Sequence, residues 1–145
     1  MNLPIDLPPE LIAYVGLITA RFPAIQSIWL FGSRANGTAE TLSDWDLLVF
    51  GSADVLNGLR CSTELHCSDI DVFVVYDGNR FASPWDDVAG AKNGRLWSGP
   101  EGDRHVYGYG WRAISKSSAT YCSTRDRSIQ RAYCIHETER SGQDT

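Results

Sequence analysis

The chain has 145 residues, a formal net charge of −5, 43% hydrophobic residues and five tryptophans. This length and composition are typical of one globular domain with a buried core, and they exclude a disordered chain. The charge disfavours a long nucleic acid held by phosphate neutralisation, and the absence of a signal-like start or a bilayer-length apolar run predicts a cytoplasmic protein that binds no membrane.

The first predicted element is a helix over 7–22. Prolines at positions 8 and 9 suit a helix start, and apolar residues then recur at helical spacing, at Leu11, Val15 and Ile18. Such a single apolar stripe is typical of a helix packed on a sheet.

Three short apolar runs predict strands: 27–31, 46–50 and 70–76. Gly32 ends the first run, and a connector over 38–42 leads to the second. Between the second and third runs, 53–59 predicts a short helix broken at Gly58. We expect an α/β (α+β) fold, a small mixed β-sheet flanked by helices.

The character of the sequence changes after Gly78. We expect one domain, with its core over about 7–78, a loop- and Trp-rich extension over 79–124 and a polar tail over 125–145. A weakly alternating segment over 105–114 and a short one over 119–123 predict two paired strands. A helical turn is expected around 129–134.

The four cysteines are predicted to be reduced thiols, since none of them forms a C-x-x-C pair. A zinc site formed by Cys61, His66, Cys67 and a distant cysteine is the alternative, although its ligands are poorly spaced.

Two aspartates near the second strand carry the first functional signal. On a strand, Asp44 and Asp46 would share one face while Trp45 points to the other. Two carboxylates held this close repel one another unless a cation lies between them, and oxygen ligands suit Mg²⁺ or Mn²⁺. The alternative is a solvated strand start or a helix N-cap.

The turn at Gly32-Ser33 carries the second signal. It offers free backbone N–H groups, a hydroxyl and no Cβ at the closest point, which are the parts of a phosphate-binding turn. Arg34 either contacts phosphate or solvates the turn. A phosphate-binding turn beside a carboxylate-bound metal suits nucleotidyl transfer.

A third carboxylate is expected from the strand over 70–76. Asp69 and Asp71 are both candidates because they too share a face. Asp71 is preferred because apolar residues flank it in the body of the strand, but the spacing alone does not choose between them.

Gly32-Ser33, Gly37 and the run 43–47 (SDWDL) resemble the G-S-x-x-x-G and S-D-x-D signature of the polymerase-β-type nucleotidyltransferase superfamily. The chain is similar to the minimal stand-alone members of that superfamily, and the resemblance covers residues 25–77. No helical acceptor domain of the kind many members carry is recognisable after Gly78.

The resemblance implies a role for each motif. Asp44, Asp46 and Asp71 would be the catalytic and metal-binding carboxylates, and Gly32 and Ser33, together with Arg34, would bind the nucleotide. The expected reaction is transfer of NMP from an NTP, with ATP as the expected donor, to a hydroxyl of a protein, RNA or small molecule. Mg²⁺ or Mn²⁺ would assist, and pyrophosphate would leave.

Two other functions fit the same sequence. The fold could serve as an antitoxin-like binding partner of a helical toxin subunit, with or without transfer activity, which predicts an exposed apolar patch. It could also be a regulatory domain that senses nucleotide without chemistry.

Overall fold

The computed structural model describes residues 6–37, 39–41, 43–76, 80–85, 93–95, 104–106, 109–122 and 129–138. Within these residues, no helix is long and apolar enough to cross a membrane. The elements are α1 (Pro9–Arg21), β1 (Ser27–Phe31), α2 (Ser33–Asn36), β2 (Trp45–Phe50), α3 (Ala53–Arg60), a 3₁₀ turn (Thr63–Leu65), β3 (Ile70–Tyr76), β4 (Arg80–Ala82), β5 (Asn93–Arg95), β6 (Arg104–Val106), β7 (Tyr109–Ala113), β8 (Ser118–Cys122) and β9 (Ile129–Glu137).

The nine strands in the described residues form one mixed sheet in the order β5-β4-β3-β2-β1-β9-β8-β7-β6. β2 and β3 pair in parallel, with α3 in the connection between them, and the other pairs are antiparallel. The predicted α+β fold with a mixed sheet is confirmed. The sheet is larger than expected because strands after position 79 extend it on both sides.

Helices α1 and α3 pack on one face of this sheet. Their buried residues join those of the central strands in a helix-side cluster that includes Leu11, Val15, Ile18, Ile28, Leu30, Leu47, Val49, Val55, Leu56, Leu59, Val72 and Val74. The stripe predicted for the first helix is the buried one, and the helix begins and ends within two residues of the predicted bounds. Pro8 and Pro9 stand at its N-cap and first position, as their missing N–H groups allow.

The opposite face is also buried, although no helix in the described residues packs on it. It carries an inner cluster: Trp29, Phe31, Leu48, Phe73, Val75, Phe81, Ala119, Tyr121, Ala132 and Cys134. The edge strands β5 and β6 contact one another, so the sheet curls around this cluster. The curl places the strands that follow β3 next to the predicted site.

Two expectations for the elements are wrong. α3 is not broken at Gly58 and continues to Arg60. Gly58 instead permits close packing, because a Cβ at this position would overlap the ring of Phe22. The expected helical turn around 129–134 is part of β9, which lies in the middle of the sheet between β1 and β8.

The segment expected to consist of long loops also contains strands. β4 continues the sheet from β3, and β5 pairs with β4. The weakly alternating segment over 105–114 forms two strands, β6 and β7, and the predicted pairing of β8 with it is confirmed. Much of the predicted extension over 79–124 and tail over 125–145, including residues 86–92, 96–103 and 123–128, lies outside the described residues.

Candidate active site

The turn at the end of β1 is fixed by glycine conformations. Gly32 has φ 81°, and Gly37 ends the four-residue helix α2 in the left-handed region at φ 74°. A side chain at position 32 would overlap the carboxylate of Asp46. Gly32 is therefore required both by its backbone angle and by the close approach of Asp46.

Asp46 and Asp71 are brought together by strand register. Asp46 on β2 pairs with Asp71 on β3 in parallel, so both project from the same face of neighbouring strands. Asp46 also pairs with Phe31, the residue before the Gly32 turn. Both aspartates are half-buried and lie on the face that carries the inner cluster.

Asp44 and Asp69 lie outside the strands. Asp44 directly precedes β2 and is exposed, whereas Asp46 lies within the strand and is half-buried. Asp69 is exposed in the turn before β3, and its backbone oxygen accepts a 2.9 Å hydrogen bond from the N–H of Trp45. Asp71, rather than Asp69, is thus the residue in register with Asp46.

Arg34 holds the connector that leads into β2. Its Nε and Nη2 donate to the backbone oxygen of Ser43 at 3.1 and 2.9 Å, and Nη2 also reaches the oxygen of Thr41 at 3.2 Å. The guanidinium lies over the ring of Trp45, 4.7 Å from its centroid. These contacts fix the segment that carries Asp44, whereas contact of Arg34 with phosphate stays a prediction.

Tyr121 is a site residue that the sequence analysis missed. Its hydroxyl accepts a 2.7 Å hydrogen bond from the N–H of Gly32 and donates one of 3.0 Å to Oε1 of Gln130. Burial raises the pKa of Tyr121 to about 12, and the negative charge of Asp46 acts in the same direction. Because 89 residues separate Tyr121 from Gly32, only the order of the strands could reveal this contact.

Asn36 is a second missed residue. Its Nδ2 donates to the backbone oxygen of Gly32 at 2.9 Å and to that of Arg131 at 3.0 Å, while its Oδ1 accepts from the N–H of Arg131 at 2.8 Å. Asn36 therefore joins α2 to β9 just beyond the end of β1.

A groove lies beside Asp71 where β4 diverges from β3. It has a volume of about 260 Å³ and is lined by His66, Ile70, Asp71, Val72, Phe73, Ser83 and Trp85. The indole Nε1 of Trp85 donates to the backbone oxygen of Leu59 at 2.7 Å, and its ring lies 5.2 Å from that of His66. One wall of the groove is thus a fixed aromatic pair, and Asp71 lies within it.

The described side chains contain no group of three His, Cys, Asp or Glu residues converged as metal ligands. The alternative zinc site around Cys61, His66 and Cys67 is accordingly not formed there. Cys61, Cys67 and Cys134 are free thiols, as expected of reduced cysteines. Asp46 and Asp71 form a pair of carboxylates rather than a complete set of ligands.

Comparison with known families gives one match. Residues 17–66 match the family model described as polymerase beta, nucleotidyltransferase. This segment contains α1 from position 17 onward, the Gly32-Ser33 turn, Asp44 and Asp46, and α3. No curated protein matches the chain. Over these motifs, residues 17–66 are thus similar to the polymerase-β-type nucleotidyltransferases.

Proposed function

We propose that the protein is a metal-dependent nucleotidyltransferase that moves NMP from an NTP to a hydroxyl acceptor and releases pyrophosphate, with ATP as the expected donor. The observation that carries this proposal is the register of Asp46 with Asp71 beside the Gly32 turn. The match of residues 17–66 to the nucleotidyltransferase family model supports the reaction type.

The donor set fits a hard divalent cation. Asp46 and Asp71 present carboxylates from adjacent parallel strands, which lie about 4.8 Å apart in sheets, and Asp44 adds an exposed carboxylate nearby. Oxygen ligands of this kind are preferred by Mg²⁺ and Mn²⁺, which usually retain coordination positions for substrate phosphates. A cation bound by these residues would neutralise charge on the triphosphate.

The remaining roles follow from position. The backbone and hydroxyl of Ser33, in the turn after β1, bind the β- and γ-phosphates. The acceptor enters the groove that contains Asp71, and its hydroxyl gives its proton to that carboxylate. The acceptor oxygen then bonds to the α-phosphorus, the bond from that phosphorus to the bridging oxygen breaks, and pyrophosphate leaves.

The test is transfer of label from α-labelled ATP to acceptors in a desalted cell extract, together with release of pyrophosphate. We expect Asp46→Asn and Asp71→Asn each to lower both signals about 100-fold or more. Asp54→Asn on the exposed surface of α3 is the matched control and should retain activity. Wild-type transfer in both site variants would contradict the proposal.

Asp69→Asn decides between the two candidates for the third carboxylate. We expect it to retain most activity, because Asp69 lies in the turn before β3 and Asp71 is the residue opposite Asp46. Loss of activity in Asp69→Asn, with normal activity in Asp71→Asn, would show that Asp69 is the third carboxylate.

The outer face of α1 favours a second candidate function, binding of a helical partner protein. Ile12 and Leu17 are 55% and 47% exposed, and the neighbouring Ala13, Gly16 and Ala20 are exposed as well. Nothing lies within 4 Å of the Cβ position of Gly16, so a partner helix could approach the backbone closely. This apolar strip is the kind of surface that the antitoxin-like alternative requires.

The test of this second function is complex formation between purified components. A partner that copurifies is identified, expressed separately and mixed with the wild-type chain or with Leu17→Lys, and mass is measured by light scattering. We expect the wild type to form the complex and Leu17→Lys to lose it, while Asn57→Lys, which adds the same charge at an exposed position of α3, should keep it. An equal complex with Leu17→Lys would exclude the α1 face.

A further inference from the structure

The N–H and the carbonyl of Gly32 are each hydrogen-bonded to a side chain that is itself hydrogen-bonded to β9. The N–H of Gly32 donates to the hydroxyl of Tyr121, which in turn donates to Gln130. Tyr121 and Gln130 are directly opposite one another in the pairing of β8 with β9. The first connection therefore runs from the turn through β8 to β9.

The carbonyl of Gly32 provides the second connection. It accepts a hydrogen bond from Asn36, whose amide also bonds both backbone groups of Arg131. Gln130 and Arg131 are consecutive residues, so the two connections end at the same place on β9. The orientation of the Gly32 peptide is thus fixed from both sides.

The ring of Tyr121 is itself held in place. It is 6% exposed and packs edge-on against Phe31, with 5.9 Å between the ring centroids. The hydroxyl is consequently kept at the end of β1, where the chain turns into α2. Removing it would leave the N–H of Gly32 without this acceptor while the ring could keep its packing.

We propose that Tyr121 is a positioning residue for the triphosphate: through its hydrogen bond to Gly32 it sets the orientation of the Gly32-Ser33 turn. This inference rests on the proposed function, in which that turn binds the β- and γ-phosphates. Tyr121 lies outside residues 17–66, so the family match assigns it no role. The donor site therefore needs a side chain from β8 to be correctly shaped.

The test compares Tyr121→Phe with Tyr14→Phe. Tyr14 also loses a partly buried hydroxyl bond, to the backbone oxygen of Leu65 at 2.8 Å, but it lies on α1 among residues of the helix-side cluster. Calorimetry in Mg²⁺ measures the Kd of α,β-methylene-ATP, which cannot be cleaved at the α-phosphate, and of AMP. NMR measures exchange of the Gly32 amide proton with solvent.

We expect Tyr121→Phe to raise the Kd of the triphosphate analogue about 5- to 10-fold, the loss of one hydrogen bond, and to leave that of AMP unchanged. Exchange of the Gly32 amide should become faster. Tyr14→Phe should change neither quantity. Gln130→Met should weaken binding of the triphosphate analogue in the same way. Its effect should not add to that of Tyr121→Phe, because both variants break the same hydrogen bond between Tyr121 and Gln130.

Three results would overturn the inference. Wild-type affinity and amide exchange in Tyr121→Phe would show that the hydroxyl does not position the turn. An equal rise in the Kd of AMP and of the triphosphate analogue would show a general structural effect. If Tyr121→Phe does not fold, Gln130→Met decides on the same readouts. Absence of triphosphate binding by the wild type would instead overturn the proposed function, and this inference with it.

Discussion

The carboxylate of Asp46 occupies the space where a Cβ on residue 32 would lie. This contact joins the two motifs of the site, since the turn after β1 can approach β2 only because residue 32 has no side chain.

The first prediction follows from this contact. Gly32→Ala should destabilise the protein by more than the roughly 1–2 kcal/mol expected for a positive φ alone, because its methyl group also displaces Asp46. It should abolish label transfer. Gly37→Ala is the matched control: its φ is 74°, but nothing lies within 4 Å of the added Cβ. Urea unfolding measures the stability of both variants, and transfer assays measure their activity. An equal loss of stability in the two variants would contradict the steric explanation.

The second prediction concerns Arg34, which was expected either to contact phosphate or to solvate the turn. Arg34→Lys keeps the charge but loses the forked contacts to Ser43 and the stacking on Trp45. We expect about a 10-fold lower kcat, because an incorrectly placed Asp44 costs on the order of 1.4 kcal/mol of transition-state binding. Arg60→Lys on the surface of α3 is the control. Full activity in Arg34→Lys would show that its charge alone matters.

The third prediction concerns the groove beside Asp71. Ser83→Phe should fill part of the groove and lower transfer to the acceptor about 10-fold or more, while the Kd of α,β-methylene-ATP stays unchanged. Asn57→Phe adds the same ring at an exposed position of α3 and should leave transfer unaffected. Undiminished transfer in Ser83→Phe would place acceptor entry elsewhere.

The fourth prediction concerns stability at alkaline pH. Burial raises the pKa of both Tyr14 and Tyr121 in the folded protein, that of Tyr121 to about 12 from an ordinary value of 10.0. Their contribution to stability is therefore complete below pH 10 and is lost as pH rises through the folded pKa, because the unfolded chain loses these protons first. Urea unfolding should show a steep decline between pH 10 and 12. The decline should be shallower in Tyr121→Phe, and an unchanged slope would contradict this assignment.

The fifth prediction compares two helical glycines. Gly16→Ala should raise the free energy of unfolding by about 0.5–1 kcal/mol, because alanine favours the helix and the site is open. Gly58→Ala should lower it, since the methyl group would displace the ring of Phe22. Thermal unfolding of both variants tests this. A higher free energy of unfolding in Gly58→Ala would mean that the ring of Phe22 moves aside without loss of stability.

Local sequence patterns were sufficient to predict the helix and strands that surround the site. The helical stripe of α1 and the apolar runs of β1, β2 and β3 are each formed by consecutive residues, so the sequence alone predicted them. The spacing of Gly32-Ser33 and of the aspartates also lies within one short stretch. The parallel register that pairs Asp46 with Asp71 agrees with the preference for Asp71, although it was not predicted.

β9 could not be recognised in the same way. Its inward residues Ala132 and Cys134 are small, and polar residues interrupt its other face, so alternation is weak. The contact of Tyr121 with Gly32 depends on that strand and was missed for the same reason. Such non-local pairing is set by the whole sheet rather than by local propensity.

The position of β9 also has a consequence for the order in which the protein is made. β1 leaves the ribosome well before β9, which is one of its two neighbours in the sheet and lies at 129–137. During synthesis β1 therefore has an open edge until residues 129–137 emerge, and an open edge can pair with another chain. Tyr121 and Asn36, which hold Gly32, form their hydrogen bonds with Gln130 and Arg131 only at that stage. A nascent chain would thus carry both aspartates of the site long before it could hold the turn beside them.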